Sequence, residues 1–387
     1  MKKATQKLTV AILSMSLLTV MAGAAMAPAL GVIRQHFSAY SSLTVQFIVS
    51  LPALFIILTN LVFPMLCRWV KSRSLAIGGL ILYVFAGVGA YWIDDMAMLL
   101  IFRALLGVSV GIVMPLSTGL LAYYFPPERQ SQLMGLAAAM NQLGGIVATL
   151  LAGILANISW NSAFLVYLLG LIAVVLVAVS LPNDSLADKS AKSHNTTVRQ
   201  LFCSYHPYIG AMCLTMILFF IFPTNFAITA QSNPHLSTNS ITLLMVGLDV
   251  VAFLIGLCFS AIMRRGKTLT KYLAPLGFLF GYAAFSFGSQ VICLLLGCFF
   301  VGMANGIGVP YINTIASIKG SRHASTTIMP LISAALYAGQ FLSPLIVSPC
   351  AQLFKGDSAP YQVGVIVALI FLVHTYLTRH SHPTAHS

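Results

Sequence analysis

Apolar runs of roughly 20 residues recur along the whole chain, separated by short polar gaps that hold most of the charges. Each run is long enough to cross a bilayer as a helix. A membrane β-barrel would instead show short alternating segments. Twelve spans are predicted, at 8–33, 44–66, 75–93, 97–122, 131–156, 160–181, 208–230, 240–263, 272–289, 291–318, 325–350 and 361–378. The longest polar stretch, 182–207, reads as a linker between two six-helix halves, 1–181 and 208–387. The expected fold class is all-α membrane protein with two pseudo-symmetric halves. The first 30 residues have the basic start, apolar middle and small-residue end of a signal peptide. The apolar run continues to Ile33, so a first membrane helix is the simpler account.

Composition supports this reading. The chain of 387 residues is 59% apolar and 7% charged, with mean hydropathy +0.93. A soluble domain carries about 25% charged residues. The net charge of +13 does not point to nucleic acid, because the cations sit between spans. With the N-terminus inside, 17 of the 20 basic residues fall in cytoplasmic segments, Arg34 and Lys355 fall outside, and Arg103 lies in a span. That bias predicts cytoplasmic termini and a place in a bacterial cytoplasmic membrane. The seven cysteines form no CxxC pair and read as small buried hydrophobes; no metal or cofactor is expected.

One stretch appears twice. The fourth span carries Arg103, Gly107, Gly111 and Pro115, and an offset of 195 gives Gly302, Gly306 and Pro310. The same offset pairs Met134 with Met329, Leu136 with Leu331, Gly144 with Gly339 and Leu150 with Leu345. Small residues let helices approach closely. Prolines in spans are tolerated where neighbours satisfy the freed carbonyls. Two related halves in parallel order describe a transporter.

These residues resemble the major facilitator superfamily over essentially the whole chain. Arg103-Ala-Leu-Leu-Gly107 is similar to its RxxxG motif, whose arginine the resemblance links to proton coupling. Phe125-Pro-Pro-Glu-Arg129 with Gly135 looks like the loop between spans four and five, and Trp160 and Phe164 match WRxxF with Asn161 in the arginine's place. Arg68 stands where the GxxxDRxGRR motif has its acid, which puts the family's cytoplasmic latch in doubt. Span five partly matches the drug/proton antiporter pattern, with Thr149 for its proline and Pro344 at the repeat position. The resemblance implies a monomer that works by alternating access on the proton gradient, with spans 1, 4, 7 and 10 lining the cavity and 2, 5, 8 and 11 beside them.

Arg103 is the first candidate, since a charge inside a span is expensive and marks function by default. Asp249 is the sole acid well inside a span, a position that suits a group loading and releasing a proton. Asn141, Gln142, Asn225, Asn305, Tyr311, Asn313, Tyr337 and Gln340 are the polar residues expected near the centre, for ligand contact or helix–helix bonding. Gly107, Gly111, Pro115, Gly144, Gly302, Gly306, Pro310, Gly339 and Pro344 are expected to serve packing and gating. Mostly apolar walls suit amphipathic organic molecules. The expected function is proton-coupled export of such molecules; the alternative is uptake of a small organic anion through Arg103. The expected partners are a small-molecule substrate and the lipid bilayer. An enzyme is not expected, because the spans hold no HExxH, paired aspartates or Ser–His pair.

Overall fold

The computed structural model describes residues 2–183, 198–231, 236–288, 290–319, 322–354 and 356–378, and among these there is no strand. The helices are α1 (Lys2–Ala24), α2 (Leu30–His36), α3 (Ser42–Trp69), α4 (Ser72–Gly89), α5 (Met96–Tyr124), α6 (Pro127–Ala156) and α7 (Gly170–Ser180), the last preceded by a 3₁₀ segment, Ser162–Leu169. Then come α8 (Val198–Gln231), α9 (Thr238–Gly266), α10 (Thr270–Phe287), α11 (Val291–Lys319), α12 (Arg322–Ala351) and α13 (Ala359–Leu377). At 1.5 Å per residue, the 28 residues of α3 reach about 42 Å, more than the hydrocarbon core of a bilayer. Among the described residues, eleven stretches are long and apolar enough to cross a membrane, and one of them, Thr238–Phe287, holds both α9 and α10. The twelve expected spans are therefore present.

Several starts are set by side chains that cap orphan amides. Ser41 Oγ accepts from the Thr44 N–H at 3.2 Å, Asp95 Oδ1 from Met98 at 2.8 Å, and Ser237 Oγ from Ser240 at 3.2 Å. The α9–α10 bend turns on Lys267, whose φ of 45° is uncommon for a residue with a Cβ.

Two boundaries differ from expectation. The first apolar run is two helices rather than one. Pro28 brings no N–H to the ladder, and residues 25–29 pass through turns such as Ala27 N–H to Ala24 O at 3.3 Å and Leu30 N–H to Ala27 O at 3.3 Å. Residues 198–207, expected in the linker, are helical as the start of α8, while 184–197 lie outside the described residues.

The chain divides into two compact units, Met1–Ser193 and His194–Ser387. Each repeats the same internal contacts. A Cβ on Gly107 would sit 2.4 Å from the Pro52 carbonyl oxygen of α3, and one on Gly302 would sit 2.7 Å from that of Leu248 on α9. Gly144 meets the Leu17 carbonyl of α1 at 1.9 Å, and Gly339 meets that of Cys213 on α8 at 2.5 Å. These distances leave room only for hydrogen, so the backbones touch. Tyr83 of α4 donates to the Leu18 carbonyl of α1 at 3.1 Å, and Tyr282 of α10 donates to the Leu218 carbonyl of α8.

Candidate functional site

Arg103 lies in the middle of the first unit, fully buried on α5. Its Nη1 donates to the Tyr167 hydroxyl at 2.9 Å, and that hydroxyl donates to the Ala22 carbonyl of α1 at 2.9 Å. The guanidinium carbon stands 5.0 Å from the ring centroids of both Phe164 and Tyr167, within the range of a cation–π contact. Tyr83 closes the group edge-on to Tyr167, with centroids 5.6 Å apart. Arg103 Nε and Nη2 are buried and have no hydrogen-bond partner among the described residues. Two aromatic faces and one hydroxyl therefore hold a cation whose remaining donors are unspent, an arrangement that costs several kcal/mol in a desolvated interior.

At the repeat position in the second unit stands Cys298, 4% exposed on α11. It lies within electrostatic reach of Asp249 and Tyr361. The Tyr361 hydroxyl is 2.6 Å from Thr229 Oγ1 of α8. Cys298 also lies on the wall of a cleft of about 590 Å³ between α9 and α11, with Ser240, Gly247, Val251 and Leu295. Asp249 is half-buried, eleven residues into α9. It is two residues from both Gly247 and Val251, about 200° around the helix at 100° per residue, so it belongs to the face opposite the cleft.

The other expected residues divide by what they touch. Asn141 Oδ1 accepts from Thr19 Oγ1 at 2.9 Å and ties α6 to α1. Asn225, 4% exposed, donates to the Ile221 carbonyl of its own helix at 2.9 Å and to Thr224 Oγ1 at 3.0 Å. Asn305 keeps a buried Oδ1 without a partner among the described residues. Tyr311 lines a small void of about 20 Å³ with Lys271 and His374. Gln340 is buried, and Gln142, Asn313 and Tyr337 are half-buried. Arg103 gathers aromatic side chains around it, Phe164 and Tyr167 from the 3₁₀ segment with Tyr83 of α4 behind them. Its neighbours Tyr167 and Tyr83 escaped the sequence reading; the signal for Tyr83 lies in the second unit, where Tyr282 bonds to α8 as Tyr83 bonds to α1.

The Major Facilitator Superfamily model matches residues 11–344, and the chain belongs to that family. It is a membrane transporter and not an enzyme. The chain is 28% identical over 108 residues to the multidrug transporter protein MdtP of Bacillus subtilis, covering 27% of this chain and 20% of the relative. It is 27% identical over 256 residues to the uncharacterized MFS-type transporter YceJ of the same organism, covering 63% of each. The matched parts are thus less than two thirds of either relative. The crystal structure of nucleoside transporter NupG superposes with a TM-score of 0.75 at 14% identity, over 97% of this chain and 98% of that one, which is a likeness of fold.

Proposed function

We propose that the protein exports small amphipathic organic molecules in exchange for protons by alternating access, from a bacterial cytoplasmic membrane with both termini inside. The observation that carries the coupling is Asp249. Among the described residues it is the only acid within a candidate span. The charged form of a carboxylate is costly in apolar surroundings, so an acid placed there can hold a proton for part of a cycle. The partial likeness to a relative described as a multidrug transporter supports the substrate class, and the small residues of α6 support export as the direction. The test is efflux of a cationic aromatic dye from cells expressing the chain, with and without a proton ionophore. Ionophore-sensitive efflux that Asp249→Asn removes is the expected outcome. Efflux unchanged by both treatments would end the proton-coupled reading.

A second reading is favoured by one observation, the unspent Nε and Nη2 donors of Arg103. A guanidinium with free donors suits a carboxylate or phosphate ligand, which is uptake of a small organic anion. That reading expects uptake lost in Arg103→Ala and kept in Asp249→Asn.

A further inference from the structure

At one end of the first unit, three connecting segments meet: α2, residues 93–95 and residues 157–161. His36 Nε2 on α2 stands 2.6 Å from Asp94 Oδ1. The imidazole stacks on Trp160, with centroids 4.5 Å apart and planes 20° apart. Phe37 stands edge-on to both rings, at 4.8 Å and 88° to His36 and at 5.1 Å and 79° to Trp160. Asn161 stitches the same corner by donating to the Tyr91 carbonyl at 3.0 Å. Trp160 then meets Phe164 edge-on at 6.4 Å, and Phe164 is one of the two rings against Arg103. An unbroken line of contacts therefore runs from a carboxylate 74% exposed to a guanidinium with no exposure at all.

We propose that His36 and Asp94 form a proton-binding clasp whose loading tightens the aromatic wall that supports Arg103. Nε2 faces the carboxylate, so in the neutral ring Nε2–H donates to Asp94 and Nδ1 keeps its lone pair. A proton taken from water binds Nδ1 and leaves the Nε2 bond in place. That one proton changes two contacts. The hydrogen bond to Asp94 becomes charge-assisted, and the stack on Trp160 becomes a cation–π contact. Both pull α2 toward the other two segments. The remaining charges at the corner have tasks of their own. Asp95 caps the Met98 amide of α5, and Arg34 donates to the Phe37 and Ser38 carbonyls at 3.3 and 3.0 Å. Residues 157–161 bring no charge. The clasp stands whatever the substrate is; only its placement on the outer side rests on the orientation proposed above.

The test uses purified full-length protein in lipid nanodiscs and needs neither substrate nor gradient, so it can fail or succeed independently of the transport reading. The chain has three tryptophans, and Trp69→Phe with Trp92→Phe leaves Trp160 as the sole indole. Protonated imidazole against an indole quenches its emission. We expect Trp160 emission to fall in one sigmoidal step as the pH is lowered from about 8 to about 5, where histidine changes charge. In Asp94→Asn the step should shrink, because the ring loses the carboxylate that holds it against Trp160. In His36→Gln the step should vanish. Helix content by circular dichroism verifies that each variant is folded. A step that survives His36→Gln, a step unchanged in Asp94→Asn, or no step in the parent would each overturn the clasp.

Discussion

The two units solve the same packing problem and then part company at one position. In the first, Tyr167 reaches the Ala22 carbonyl of α1, and Arg103 lies between Tyr167 and Phe164. In the second, Tyr361 also reaches the first helix, but at the Thr229 hydroxyl of α8 rather than at a backbone carbonyl. Here, however, the arginine's place is taken by Cys298, and Ser358, three residues before Tyr361 as Phe164 is before Tyr167, stands in the ring's place. Both replacements are smaller, and Cys298 borders the 590 Å³ cleft. The tyrosine-to-first-helix bond is thus part of the scaffold, because both units keep it. The guanidinium is not, because the second unit packs without one. A six-helix unit of this design can therefore do without a charge at this position, so the cost of burying Arg103 calls for a reason other than folding.

The sharpest way to break the comparison is to give the second unit the first unit's charge. Cys298→Arg buries a guanidinium on α11 with no counterpart of Phe164 to face it. Its expected cost is about 3 kcal/mol or more of insertion free energy, and the fraction of chain recovered from the membrane should fall severalfold. The converse change, Arg103→Cys, should insert at the parent level and abolish transport. Equal insertion by both variants would remove the asymmetry.

The glycine contacts give a smaller and graded effect. Gly144→Ala pushes a methyl group against the Leu17 carbonyl, a closer approach than that of Gly339→Ala on Cys213. Each should destabilise by about 1–3 kcal/mol, with Gly144→Ala the worse, read as the order of thermal unfolding midpoints in detergent. Gly247→Ala should cost nothing by the same measure, since its Cβ would meet open space.

The smallest expected effect concerns the shared bonds. Tyr83→Phe and Tyr282→Phe each delete one hydroxyl that reaches a first-helix carbonyl. Each should cost about 1 kcal/mol, and the two costs should match within about 0.5 kcal/mol if the units are the equivalent scaffolds that their contacts describe. A loss several times larger in one would place a functional load on that tyrosine.

Much of the fold was legible because a bilayer imposes a simple rule on sequence. Runs of apolar residues long enough to span must be helices, and the offset of 195 located Gly107 with Gly302 and Gly144 with Gly339, whose close approaches the structure contains. The break at residues 25–29 was hidden, because Met26, Ala27 and Leu30 are as apolar as a continuous helix would need. The matching tyrosines were hidden for another reason. Tyr83 and Tyr282 lie 199 residues apart, so connections of unequal length had moved them off the offset that the glycines keep. Arg103 could be picked out by its charge alone, whereas its partners could not. Tyr167 is 64 residues away and Ala22 contributes only a backbone carbonyl, which no residue type announces. Asn141 and Asn225 carried the same polar signal as ligand-binding residues, yet one ties α6 to α1 and the other bonds to its own helix.

The tight bend at Lys267 constrains how this protein is made. Between Gly266 and Thr270 the chain has only a single 3₁₀ turn, too short for α9 to settle in the bilayer while α10 waits outside. The two must leave the translocation channel together as one hairpin. Arg264, Arg265, Lys267 and Lys271 crowd that bend, and clustered cations stay on the side where the chain is synthesised. In the orientation proposed above, the bend is a fixed peg during biogenesis, letting the hairpin's far end cross the membrane while its own end stays behind.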